Sequence, residues 1–313
     1  MLTTLKTSSG TLVTPRLSGE LLEMKLPIPN EPYPDWSRFL AAVWGHGMSK
    51  GNYESTEAEY HCWRAGKSAA QSLTREDQAP VIRPSAFIAC SRQTWFMREG
   101  HEPQPMPDNI GLTFAMGHVF HEVSYGAVKS ALPECFSVDF EVEVPLPSWW
   151  PDNDEPWINR KGHIDCVLRV TSPLEAAEYL PINGDRTVLV DFKSMGGFSF
   201  RNHKKKDYSS AADGFGYLSQ LAVYADIIEP DTVLLAGVNR DQLTAPLALR
   251  RIDTSILAKE LTRVKAALNC EEDPGPEMLA RWGKEAHFFC GGGSRAGYCP
   301  FRDRCHATHS ITS

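Results

Sequence analysis

No run of about 18 or more apolar residues occurs in the 313-residue chain, so no membrane-spanning helix is expected. Met1 to Gly10 lacks the apolar core and the cleavage pattern of a secretory signal. These two absences lead us to expect a soluble cytoplasmic protein. A surplus of positive charge is missing too, with 32 Lys+Arg against 39 Asp+Glu and a formal charge of -7. That balance excludes a generally basic nucleic-acid coat, while still allowing a local basic channel beside acidic groups. Internal repeats and low-complexity tracts are also absent, which excludes a solenoid.

What remains is a chain with 42% hydrophobic residues, enough to bury a sizeable core. Residues 1–80, rich in proline, glycine and polar residues, are expected to form a helical or irregular cap. Short helices are predicted there around Trp36 to Val43 and Thr56 to Ala70. Residues 81–313 would form the main domain. Ser85 to Glu99 reads as a helix with Ser85 as N-cap, and Leu112 to Ala131 as a longer one. Strands are expected at Ser137 to Val144, Gly162 to Val170 and Thr187 to Lys193, where apolar and β-branched residues alternate or run together. After a loop come a helix from Phe215 to Ile228, a strand from Thr232 to Val238, and helices at Thr254 to Leu268 and Glu277 to Phe288. This order predicts an α/β fold, a mixed sheet with a helical surround.

Four short patterns carry the chemistry. In Val188-Leu-Val-Asp191-Phe192-Lys193, a carboxylate and an ammonium two residues apart on a strand share one face. Phosphodiester hydrolysis can use such a pair, the carboxylate on a divalent cation and the lysine on the attacking water. A strand-end salt bridge gives the same triplet. In Gly162-His-Ile-Asp165, a carboxylate interrupts an apolar strand, where burying it alone is expensive. A shared metal, a nearby arginine or solvent each relieves that cost. Gly117-His118-Val-Phe-His121-Glu122 places imidazoles on a helix, with Gly117 expected to allow close approach to the sheet and Glu122 a further candidate ligand. Gln220 and Tyr224 lie at i, i+4 on one helical face.

In this order, on helix, strand, strand and helix, the four patterns resemble the RecB-like branch of the PD-(D/E)XK nucleases over roughly Gly117 to Tyr224. The resemblance implies a restriction-endonuclease-like core with Mg2+ or Mn2+. His121, Asp165 and Asp191 would then be metal ligands together with the Phe192 carbonyl. Lys193 would be the catalytic lysine, supported by Gln220 and Tyr224. It further implies a deoxyribonuclease, an exonuclease on single-stranded or frayed DNA ends. Arg201, Lys204, Lys205 and Lys206, with His203, form a basic patch after Gly196-Gly197 that is read as a DNA-binding loop; a solvated charge cluster is the plain alternative. Further basic residues lie at Arg295, Arg302 and Arg304.

Eight cysteines in a chain expected to be cytoplasmic point to metal or cluster binding more than to disulfides. Cys290, Cys299 and Cys305 crowd a glycine-containing tail, and Cys90 in Ser85-Ala-Phe-Ile-Ala-Cys90-Ser-Arg-Gln-Thr-Trp95 is the candidate fourth ligand. One upstream and three tail cysteines, with Tyr298-Cys-Pro-Phe-Arg-Asp-Arg-Cys305, are similar to the iron–sulfur nucleases of the AddB and CRISPR spacer-acquisition types. Eight residues separate Cys290 from Cys299, against about two in those proteins. The resemblance implies a 4Fe–4S cluster closing the domain, a bacterial or phage-infected cell, and recombination or CRISPR-adaptation proteins as partners. A zinc site with the same four ligands stays open, as do a non-cleaving DNA-end subunit and a zinc-stabilised interaction protein.

Overall fold

The computed structural model describes residues 25–49, 55–74, 81–85, 90–104, 110–151, 158–159, 161–206, 208, 216–242, 247–275 and 299–308. Its elements are α1 (Trp36–Gly47), α2 (Ser55–Thr74), α3 (Ser91–Arg98), α4 (Ile110–Ala131), β1 (Phe136–Pro145), β2 (Lys161–Val170), α5 (Pro173–Ala176) and β3 (Thr187–Met195). These are followed by α6 (Gly197–Lys205), α7 (Tyr217–Ile228), β4 (Thr232–Asn239), β5 (Leu247–Arg251), α8 (Thr254–Leu268) and α9 (Arg302–Thr308). The expected mixed α/β architecture is present. Cys290, Arg295 and the helix predicted over Glu277 to Phe288 lie outside the described residues. No helix among the described residues is long and apolar enough to cross a membrane.

One five-stranded sheet runs in the order β1-β2-β3-β4-β5. β1 and β2 pair antiparallel, as do β2 and β3 and β4 and β5, whereas β3 and β4 are parallel. The parallel pair requires a crossover, and α6 and α7 supply it. Every residue of β4 is buried, as are Val188 to Phe192 of β3, so these central strands are covered on both faces. On one face, α1 and α4 pack Phe39, Leu40, Tyr125 and Val128 against Cys166, Leu168, Val190, Phe192 and Leu234. On the other, Leu218, Leu221 and Tyr224 of α7 and Leu257 of α8 meet Ile164, Val167, Leu189 and Leu235.

Local chemistry explains several of these boundaries. Asp35 caps α1 by accepting the Arg38 N–H at 2.9 Å, and Asp253 caps α8 by accepting that of Ser255 at 2.7 Å. The close helix approach expected at Gly117 is elsewhere. A Cβ at Gly117 would meet nothing within 4 Å, whereas one at Gly47 would lie 2.0 Å from the Ala127 carbonyl oxygen. Thus α1, from the predicted cap, shares the main core through a glycine contact with α4. Ser85 sits in a turn, and the helix expected from it begins at Ser91 with Cys90 as N-cap. The segment after Gly196 is a helix where a loop was expected: His203 anchors α6 by hydrogen bonds to the Ala248 carbonyl at 2.8 Å and to the Tyr208 hydroxyl.

Candidate functional site

Two interrupted ladders make the site. The β2–β3 pairing stops at Cys166↔Val190, one step before Asp165 and Asp191 would oppose each other. The strands part there, and Asp165 Oδ2 accepts the Phe192 N–H at 2.8 Å. On the other side, β1–β2 pairing runs through Phe140↔Cys166 and Val142↔Ile164 and omits the intervening Glu141 opposite Asp165. Glu141 has φ of 51°, left-handed and uncommon for a glutamate inside a strand. Glu141, Asp165 and Asp191 therefore form one row across β1, β2 and β3.

α4 lies over this row and contributes His121. Its Nδ1 is 3.9 Å from Asp165 Oδ2, and the Tyr125 hydroxyl lies 3.3 Å from the same nitrogen while donating to Glu141 Oε1 at 2.8 Å. Among the described residues, His121, Glu141 and Asp165 each offer a ligand atom within 4.8 Å of the others. Asp191 is buried beside them. Its Oδ1 accepts from Lys193 Nζ at 2.7 Å, and its Oδ2 has no hydrogen-bond partner. Lys193 also donates to Gln220 Oε1 of α7 at 3.2 Å. Tyr224, one turn later, accepts the His163 N–H at 3.2 Å.

Charges are out of balance here. Burial pushes the Asp191 carboxyl up to about 7 and that of Asp165 up to about 6, against the opposing pull of Lys193. Burial, reinforced by the Lys193 ammonium, lowers His121 to about 4, so its imidazole is neutral and can offer a lone pair. Burial alone would lower Lys193, but Asp191 and Asp165 outweigh it and raise it, keeping it charged. Three carboxylates face one ammonium, with one buried carboxylate oxygen unpaired. That donor set of oxygens and a neutral imidazole fits a hard divalent cation.

The residues singled out from the sequence divide clearly. Asp165, Asp191, Lys193, Gln220, Tyr224 and His121 converge, and Phe192 joins them through its amide. His118 is exposed. Glu122 is not a ligand candidate in the fold, because it is turned toward α2, where it bonds His61 Nδ1 at 2.7 Å and Arg64 Nε at 2.9 Å. Glu141 was not foreseen. In Phe136-Ser-Val-Asp-Phe-Glu141-Val-Glu143 the alternation assigns it to the polar face with Asp139 and Glu143, and its φ angle removes it from that pattern. Arg201, Lys204 and Lys205 occupy one exposed face of α6, at i, i+3 and i+4, and Lys206 follows as its C-cap.

A third cluster lies away from the carboxylates. α3 meets the tail, with Phe96 against Phe301 at 5.3 Å between ring centroids. Beside Cys90, Arg92 donates to Cys305 Sγ at 3.0 Å and Gln93 to Cys299 Sγ at 3.2 Å. Arg92 also forms a two-pronged ion pair with Asp273, at 2.8 and 2.6 Å. Cys90 is buried and Cys299 and Cys305 are half-buried, and among the described residues the three do not form a group within 4.8 Å as His121, Glu141 and Asp165 do. Cys166 and Cys135 are buried in the core.

No family model matches the chain, and no curated protein is similar to it. A solved structure described as "Crystal structure of SSO0001" is similar over 80% of this chain and 98% of that chain, at 15% identity and a TM-score of 0.37.

Proposed function

We propose that the chain is a metal-dependent deoxyribonuclease with a PD-(D/E)XK restriction-endonuclease-like core of the RecB-like kind. The observation that carries this reading is the group His121, Glu141 and Asp165, whose ligand atoms lie within 4.8 Å of one another, beside a buried Asp191 that bonds the charged Lys193 through one oxygen and leaves the other unpaired. The crossover between parallel β3 and β4 that brings Gln220 and Tyr224 back to the site supports it as well.

In this reading His121, Asp165, Asp191 and the Phe192 carbonyl hold Mg2+ or Mn2+, with Glu141 an added ligand. When bound, the ion would supply charge stabilisation at the phosphate and a more acidic water. Lys193, fixed between Asp191 and Gln220, presents its remaining N–H donor capacity to the attacking water or to the phosphate. Tyr224 holds the start of β2 in place, and through it Asp165. The net reaction adds hydroxide to phosphorus and a proton to the departing sugar oxygen. α6 begins two residues after β3 ends, and its exposed basic face suits a phosphate backbone without reading bases.

The thiols at Cys90, Cys299 and Cys305 suit a structural cluster or zinc ion, completed by Cys290. Side-chain N–H donors already aim at two of the sulfurs, as they do around metal-bound thiolates. Held together, these cysteines would tie α3 to the tail and close about 200 residues of chain around the sheet.

The deciding assay incubates an end-labelled single strand and the matching duplex with wild type and Asp191→Ala in Mg2+, Mn2+ or EDTA. Cleavage by wild type with metal, and none by the variant, is the expected result. Strand binding without cleavage under every condition would replace this reading with a non-cleaving DNA-end subunit.

A further inference from the structure

The reaction described above makes no use of the outer face of α2. Tyr60, Trp63, Arg64 and Lys67 recur there at i, i+3, i+4 and i+7, which aligns them along one side of the helix. Both rings point outward, Trp63 being 61% and Tyr60 47% exposed. Each has a cation beside it: Lys67 Nζ is 5.3 Å from the Trp63 ring centroid, and the Arg64 guanidinium is 5.7 Å from that of Tyr60. The opposite side of α2 is buried through His61 and Ala65.

The same helix is bolted to the site. His61 and Arg64 grip the two oxygens of Glu122, the residue next to His121 on α4. Arg64 also lies close enough to Glu141 to feel its charge. The outer face of α2 is therefore one ion pair away from Glu122, the neighbour of His121 on α4.

We propose that this face of α2 is a stacking track for a single-stranded nucleic acid, whose bases lie on Trp63 and Tyr60 while its phosphates pass Lys67 and Arg64. Binding along the track is independent of the nuclease reading, but the destination of the strand rests on it. Interleaved rings and cations are what a single strand recognises, since any base offers a π-face and each nucleotide carries a phosphate. A duplex keeps its bases inside and gives the rings nothing to stack on. The seven steps from Tyr60 to Lys67 rise about 10 Å along the helix, room for about three stacked nucleotides. The exposed Glu59, one turn before Trp63, repels phosphate and bounds the track on that side.

The test is equilibrium binding of the full chain in EDTA to fluorescent oligothymidylate, oligouridylate and a blunt duplex of equal length. Wild type is expected to prefer the single strands, and the two oligonucleotides show whether deoxyribose or ribose is favoured. Trp63→Ala and Tyr60→Ala should each weaken single-strand binding by roughly 5- to 100-fold, with Trp63→Phe retaining most of the affinity. Lys67→Ala should lower the slope of log affinity against log salt by about 0.7. Circular dichroism and thermal melting confirm that each variant is folded. The inference falls if wild type binds no single strand, or if the ring variants bind it as wild type does. It also falls if Trp63→Ala abolishes only self-association of the chain. If wild type cleaves DNA but the ring variants keep full affinity, the track is wrong and the nuclease reading stands. If strands bind through the rings and nothing is cleaved, the track stands alone.

Discussion

The ring of Tyr224 occupies the space that a side chain on residue 162 would need: a Cβ on Gly162 would lie 2.7 Å from Tyr224 Cε1. The glycine before Asp165 and the tyrosine after Gln220, 62 positions apart in sequence, are thus two halves of one contact. Tyr224 then bonds the His163 N–H, which fixes β2 just ahead of its carboxylate. Gly162→Ala should cost about 1–3 kcal/mol in urea denaturation, the usual penalty for overpacking a filled site. Cleavage should fall with it, by at least about tenfold, because displacing a positioning group by roughly 1 Å is costly. Unchanged stability and rate would mean that Tyr224 swings aside freely.

Glu141 offers a separate check on the site. Glu141→Gln keeps the size and the Tyr125 contact but removes the negative charge, so Mn2+ affinity should fall by about 10-fold with stability within about 1 kcal/mol of wild type. Calorimetric titration of Mn2+ reads this directly. An unaltered affinity would remove Glu141 from the ligand set.

The raised carboxylates make metal-free stability depend on pH. Asp165 and Asp191 hold protons in the fold up to about 6 and about 7, whereas in the unfolded chain they shed them near an ordinary carboxylate pKa of about 3.9. In that window the native state binds more protons, so these two groups favour folding at low pH and lose that contribution as pH rises. His121, lowered to about 4, acts in the opposite sense below about 6.5, but as one group against two. In EDTA the chain should therefore melt higher at pH 5.5 than at pH 8. Asp191→Asn should flatten that difference, and Mn2+ should raise the melting point most at pH 8, where no protons compete. A wild-type profile identical to that of Asp191→Asn would contradict the charge crowding.

Arg92 should be the tie between α3 and the tail. Its side chain is 2% exposed and Asp273 is 33% exposed. Arg92→Ala takes one partner from a partly solvated carboxylate that the Gly275 N–H also contacts, so its cost should sit near the low end for a broken buried pair, about 2–3 kcal/mol. Protein purified without oxygen should be brown, absorbing at roughly 400 nm, and Cys299→Ser should lose the colour. Colourless protein containing zinc would assign the thiols to that ion instead.

Much of the sheet was legible because its strands are apolar runs between turn residues: β2 and β3 begin within one residue of their predicted starts. β5 was not legible, since Leu247-Ala-Leu-Arg-Arg251 is a short edge strand whose charged residues protect it from further pairing. α6 was misread for a related reason: its Gly-Gly start and Lys-rich end look like a loop, and the buried His203 that holds it depends on distant Ala248. At the site, Asp191 and Lys193 could be paired from a two-residue spacing, which is a local rule. Glu141 could not be found that way. Its place depends on one backbone torsion and on two ladders breaking at the same row, neither of which leaves a mark in the residue pattern.

The most direct test is whether His121, Asp165 and Asp191 share one divalent ion. Titrating Mn2+ calorimetrically into wild type and into His121→Ala, Asp165→Ala and Asp191→Ala at pH 8 answers it. We expect binding by wild type and a large loss in each of the three variants, all folded by circular dichroism. No binding by wild type, or wild-type affinity in any two of the variants, would contradict a common metal at this row.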